Sequence, residues 1–253
     1  MRNLRIIARL DIKAPNLIKG IHLEGLRVVG DPQEYAVRYY QEGIDEIVYI
    51  DIVASLYNRN SLSDIVARTA EHVFVPMTVG GGVRTLDTVH SLLRAGADKV
   101  AINTAAIGRP ELITEVAERY GSQCMVLSIE AKRDGHGRWE AYTDNGRERT
   151  GKDAIEWAVE GVRRGAGEIL LTSVDQEGTQ KGFDIELCRQ ITEAVDRPVI
   201  LSGGMGTLDH FEQAVEQGGA DAVAIAHVLH YNKIPLSDLR AKAKAMNRQV
   251  REV

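Results

Sequence analysis

Two acidic residues close apolar runs at equivalent places in the chain: Asp11 in IIARLDIK (6–13) and Glu130 in MVLSIEAK (125–132). A pair of carboxylates facing one cavity can divide general acid from general base work. Two Gly-Gly turns accompany them. Gly81-Gly82 lies in PMTVGGGVRTLDTVHSLLRAGAD (76–98), and Gly203-Gly204 in PVILSGGMGTLDHFEQAVEQGGAD (198–221). Glycine lets backbone approach a ligand closely, and N–H groups at a following helix start attract phosphate. Each turn is matched by a small-residue end of the next apolar run, Asn103-Thr104 for the first and Ala226-His227 for the second. Two anion sites on opposite sides of one mouth imply a ligand with a phosphate at each end. Asp51 and Asp175 end two further runs, and Asp175 is expected as a third polar contact to that ligand.

A second constellation sits at the opposite ends of the same runs. Arg5, Glu46, Lys99 and Glu168 each stand near the start of a predicted strand. Alternation along a strand puts Arg5 on the face of Asp11, and Lys99 on the face of Asn103. Two cations and two anions can close a ring there. On the residues alone this reads first as a structural salt-bridge network, the usual content of a barrel bottom.

The elements that must position these residues follow from the patterning. Near-continuous apolar runs such as EIVYID suit strands buried on both faces of a parallel sheet. Strands are predicted near 4–11, 45–51, 74–79, 97–103, 124–130, 167–173, 198–202 and 221–226. Helices are predicted near 31–43, 61–71, 85–95, 110–120, 152–165, 184–195, 207–218 and 235–246. Asp31-Pro32, Thr85 and Thr207 supply helix starts, and Gly43, Gly96, Gly165 and Gly218 supply helix ends. EIVYIDIVAS (46–55) is repeated as EILLTSVDQE (168–177), so the repeat spans about half the chain. Eight strand–helix pairs in 253 residues, with internal duplication, predict a single (β/α)8 barrel domain with half-barrels of about 1–122 and 123–253. A doubly wound open sheet is the alternative. Two loops, 12–30 and 131–151, are long for a barrel and leave the face where barrel chemistry sits, which marks them as lids. The second alternates like a hairpin, with Trp139 and Tyr142 on its arms.

Composition narrows the partners. A net charge of −5 argues against nucleic acid or an anionic membrane. No apolar run approaches a membrane span, and the first residues read as a strand and not as a signal peptide. Cys124 and Cys188 offer neither a disulfide framework nor metal spacing, so a reducing cytoplasm is expected and no metal or organic cofactor is implied.

The chain resembles the cyclase subunits of imidazole glycerol phosphate synthase, the HisF type, over essentially its whole length. The matching stretches are LDIK with Lys19-Gly20, GDP (30–32), DEIVYIDI, TVGGGV, GADKVAINTAA, GSQ, AKR, RGAGEILLTS, the D-x-x-GT of 175–179, and SGGMG. The resemblance implies a lyase that takes phosphoribulosyl-formimino-aminoimidazole carboxamide ribotide and ammonia. It would release imidazole glycerol phosphate and aminoimidazole carboxamide ribotide. Ammonia would come from a separate glutaminase subunit (HisH type) on the N-terminal face, passing through the barrel. Arg5, Glu46, Lys99 and Glu168 then match a charged gate, Asp11 a catalytic acid/base, and Lys19 a substrate contact on a mobile first loop. Thr172 and Gly178, within the matching stretches, join the expected substrate-binding set.

Three positions depart from that family pattern. Glu130 stands where the family has Asp, which displaces the carboxylate by roughly 1.5 Å. Arg9 stands where Cys is common. Its parity with Asp11 points it inward, and a buried guanidinium must be paired, so Asp11, Asp51 or Glu130 is its expected partner. His227 stands where a small residue is usual, either touching the second phosphate or simply packed. Three rivals are carried beside this reading, and the departures favour the first of them. One is a paralogous ammonia-using synthase in the amidation of a surface-polysaccharide sugar. Another is the related sugar isomerase that needs no ammonia. The last is a barrel that only binds and activates a glutaminase.

Overall fold

The computed structural model describes residues 3–54 and 62–251. Residue 61, the expected first residue of the second helix, and residue 55 of the repeated stretch lie outside them. The strands in chain order are β1 (Arg5–Lys13), β2 (Asn16–Ile21), β3 (Glu24–Gly30), β4 (Glu46–Asp51), β5 (Met77–Gly80) and β6 (Lys99–Ile102). They continue as β7 (Met125–Arg133), β8 (Trp139–Thr143), β9 (Glu148–Asp153), β10 (Glu168–Ser173), β11 (Val199–Ser202) and β12 (Ala222–Ile225). Parallel pairing runs β1–β4–β5–β6–β7–β10–β11–β12 and returns to β1, so the sheet closes. The fold is the expected (β/α)8 barrel, and the open-sheet alternative falls on the β12–β1 pairing.

Closure follows from the sequence pattern. The strands carry side chains buried on both faces because helices cover the outside and other strands face the inside. Ile7, Val48, Ala101, Val126, Leu170 and Ile200 fill the bore as an apolar layer. A larger cluster, including Trp157, Phe211, Leu92 and Leu187, seals strands against helices. The helix starts behave as read. Asp31 accepts from Gln33 N and Glu34 N, Thr85 from Thr88 N, and Thr207 from His210 N. One helix end is corrected: Gly219, at φ 72°, takes the left-handed turn assigned above to Gly218. The chain needs one more residue after Leu208–Glu216 before it reverses.

Two features escaped the pattern. Loop 12–30 is not irregular. β1 runs on to Lys13 and a hairpin follows, with β2 antiparallel to β1 and β3 antiparallel to β2. Loop 131–151 does the same on β7 with β8 and β9, as its alternation suggested. Two short helices, Thr104–Gly108 and His227–His230, also follow β6 and β12 directly. Helices this short carry no readable apolar period. Each half therefore carries the same additions at the same places, a hairpin on its first strand and a short helix after its last.

Candidate active site at the barrel mouth

Two clefts open at the C-terminal ends of the strands. The first is lined by Asp51, Gly81, Gly82, Asn103, Thr104 and Glu130, together with Asn145. The second is lined by Lys19, Gly178, Gly203, Gly204, Ala226 and His227, together with Glu177. The structure thus gathers the two sets of residues proposed as anion sites into two separate hollows, with one Gly-Gly turn in each. The glycines are required there. Gly81 has φ 93°, and a Cβ on it would stand 2.2 Å from Asp51 O. Gly204 has φ 112°, and its Cβ would stand 2.0 Å from Gly182 O.

Asp11 and Glu130 lie at the ends of β1 and β7, opposite strands of the ring. Both are buried, at 2% and 8% exposure. Their surroundings differ. Asp11 Oδ1 accepts from Arg9 Nε at 2.9 Å, and its Oδ2 is 3.8 Å from Lys19 Nζ. Burial opposes its charge, but the Arg9 guanidinium and the Lys19 ammonium outweigh that and hold the carboxyl below its ordinary range. Glu130 Oε2 accepts from Asn103 Nδ2 at 3.0 Å and from Gly146 N at 2.8 Å. Burial dominates here, and Glu130 is pushed up to about 7. The longer carboxylate is seated by the turn between β8 and β9, whose Asn145-Gly146 pair puts a backbone N–H over it.

Arg9 points into the barrel and pairs with Asp11, one of its three expected partners. Its Nη1 also donates to Thr172 Oγ1 at 2.8 Å and Ser202 Oγ at 3.0 Å. Thr172, expected at the substrate, lines neither cleft and is buried as an Arg9 acceptor. Asp175, expected as a third substrate contact, lines neither cleft; its Oδ2 accepts from Arg133 N at 2.9 Å. It sits where the chain leaves β10, within reach of the backbone of β7, and stitches the two strands together. The buried acid in that loop is Glu177, which the sequence reading passed over. It ion-pairs with Lys19 inside the second cleft. Only its place just before Gly178-Thr179 hinted at this. Asn145-Gly146 was also missed, although Asn-Gly is a strong hairpin signal. His227 lies against Tyr231 with ring centroids 4.6 Å apart and planes tilted by 47°, and burial lowers its imidazole below the ordinary range.

The charged ring at the far end is closed. Arg5 Nη1 lies 2.7 Å from Glu46 and 2.8 Å from Glu168, while Lys99 Nζ lies 3.3 Å from Glu46 and 2.8 Å from Glu168. Each cation bridges both anions, so the four side chains form a collar across the bottom of the bore. Among the described residues no helix is long and apolar enough to cross a membrane, and no His, Cys, Asp and Glu cluster could hold a metal.

Comparison with known proteins agrees with this geometry. The family model "Histidine biosynthesis protein" matches residues 5–235. A protein of Legionella pneumophila described as imidazole glycerol phosphate synthase subunit HisF is 66% identical over 211 residues, covering 83% of this chain and all of that protein. Proteins of the same description from Myxococcus xanthus and Mycobacteroides abscessus are 49% and 50% identical, over 100% and 98% of both chains in each case. With this match along nearly the whole barrel, the chain belongs to the histidine biosynthesis protein family, among its imidazole glycerol phosphate synthase HisF subunits.

Proposed function

We propose that this chain is the cyclase subunit that converts phosphoribulosyl-formimino-aminoimidazole carboxamide ribotide and ammonia to imidazole glycerol phosphate and aminoimidazole carboxamide ribotide. The observation that carries this reading is the placement of Asp11 and Glu130 on opposite strands, with Glu130 lining the first glycine-floored cleft and Asp11 beside Lys19, which lines the second. One phosphate sits against Gly82, Asn103 and Thr104, the other against Gly203, Gly204 and His227. Asn103 Oδ1 is buried without a partner among the described residues, an acceptor left over for an N–H or O–H of the ligand and not for its phosphate. Lys19 leaves Glu177 for the second phosphate and uncovers Asp11 as it does so. Asp11, held ionised, takes a proton from the nitrogen nucleophile. Glu130, holding a proton near neutrality, returns one to the departing ribotide.

The same reading makes the chain one domain of two half-barrels, working in the cytoplasm. A glutaminase subunit docks on the N-terminal face, and its ammonia enters past the Arg5, Glu46, Lys99 and Glu168 collar. The exposed Phe74 stands beside the start of β5 on that face. The test is direct. Purified protein, the bisphosphate ribotide and an ammonium salt at alkaline pH are followed by loss of substrate absorbance. Turnover is expected without any partner, and its absence from folded protein overturns the reading. Adding a glutaminase and glutamine is expected to replace the ammonium salt.

A further inference from the structure

Along β1 the inward side chains read Ile7, Arg9, Asp11, from the apolar layer to the mouth. Arg9 is 2% exposed. Its bonds to Thr172 and Ser202 reach β10 and β11, which stand three and two strands round the ring from β1. A side chain rooted on β1 meets those hydroxyls only by crossing the bore. The guanidinium stays charged at every working pH. Leaving such a charge buried without an anion is strongly unfavourable, so its carboxylate partner must be ionised. That partner is Asp11, held through Arg9 Nε. Glu130, across the barrel, receives hydrogen bonds among the described residues from the neutral Asn103 amide and Gly146 N–H.

The remaining charged and titratable groups point the same way. Lys19 approaches Asp11 from β2, and Glu177 neutralises Lys19 from the loop after β10. His230, from the helix His227–His230, is held neutral by burial, while Asp144 beside Glu130 disfavours a second anion there. Arg9 and Lys19 are therefore balanced by Asp11 and Glu177, which leaves Glu130 without a cation of its own among the described residues. We propose that Arg9 is a positioning residue that fixes which of the two mouth carboxylates starts the reaction as base and which as acid. This rests on the reading of Asp11 and Glu130 as the proton-transferring pair. Arg9 attracts the Glu130 anion as well, but less than burial opposes it, so the two carboxyls are driven apart: Asp11 down, and Glu130 up to about 7.

The test needs no turnover. Carboxyl-carbon resonances of Asp11 and Glu130, assigned with Asp11→Asn and Glu130→Gln, are titrated by NMR in the parent protein and in Arg9→Gln. Loss of the guanidinium is expected to raise the Asp11 midpoint by about one to three pH units. Arg9→Lys is expected to return it most of the way. In the ammonia-driven assay Arg9→Gln is expected to lose at least tenfold in kcat with KM for the bisphosphate changed less than threefold, and Arg9→Lys to recover part of the loss. An Asp11 midpoint that does not move, or a defect confined to KM, overturns the proposal. Arg9→Cys, a smaller neutral side chain, gives the same measurement if glutamine is not accommodated. If the parent protein titrates as described but does not turn over the ribotide, the reaction assigned above fails while the role of Arg9 in setting the two carboxyls stands.

Discussion

The two half-barrels carry the same additions and put opposite chemistry on them. In the first half, the hairpin on β1 brings Lys19 toward Asp11, and two cations surround that carboxylate. In the second half, the hairpin on β7 brings the Asn145-Gly146 turn over Glu130, whose hydrogen-bond donors among the described residues are neutral. One architecture, used twice, yields one carboxyl held below its ordinary range and one pushed up to about 7. The lesson is that the duplicated backbone sets where the carboxylates stand, while the few side chains that break the symmetry set their protonation.

Removing the charged member breaks the comparison most. Asp11→Asn is expected to lower kcat by roughly 10²–10⁴-fold, the range for losing a positioned proton-transfer group. It also leaves Arg9 buried without its anion, so thermal unfolding must be recorded beside the rate to separate chemistry from destabilisation. A loss smaller than tenfold in folded protein would remove Asp11 from the proton-transfer pair.

Shortening the other member sharpens the contrast. Glu130→Asp draws the carboxylate back from Asn103 and Gly146, and a shift near 1 Å costs about a hundredfold in rate. The expected result is a fall in kcat with little change in KM, measured with ammonium as nitrogen source. Retained activity would mean that the turn between β8 and β9 follows the shorter side chain inward.

Stability should report the same asymmetry. Glu130 keeps a proton in the native state up to about 7, above its ordinary 4.5, so the unfolded chain releases that proton first. Native stability therefore falls as pH rises from about 4.5 through about 7 and loses nothing further from this group above that. Glu130→Gln has no such slope. Its melting temperature is expected to exceed that of the parent at pH 8 by several degrees and to approach it at pH 5, at roughly 2–4 °C per kcal/mol for a chain of this size. Equal pH dependence in both proteins would place the Glu130 carboxyl in an ordinary environment.

The smallest expected effect lies in the second cleft. Glu177 shares that hollow with Gly203 and Gly204 and ties up Lys19. Glu177→Gln removes an anion from the cleft proposed for the second phosphate and frees the ammonium. Affinity for inorganic phosphate, measured by calorimetry, is expected to rise roughly tenfold, about 1.4 kcal/mol. Unchanged or weaker binding would mean that Glu177 orients Lys19 for the ligand and does not compete with it.

Much of this was written in the chain. Apolar runs separated by amphipathic stretches gave the strands and helices within a few residues, because buried parallel strands and covering helices leave distinct periodicities. The internal repeat places Asp11 opposite Glu130 and one Gly-Gly turn opposite the other, since equivalent positions in a duplicated barrel must be related across its axis. Side-chain parity put Arg9 in the bore and demanded a partner for it. Tertiary structure alone decided the rest. It chose Asp11 over Asp51 and Glu130 as that partner, drew Glu177 into the cleft where Asp175 was expected, and laid Gly146 over Glu130. The last two contacts join residues 158 and 16 positions apart, through turns whose direction no local pattern encodes. Whether a carboxylate is charged depends on what those turns bring within a few ångströms, so the sequence specified which acids meet and the folded chain determined what each of them is.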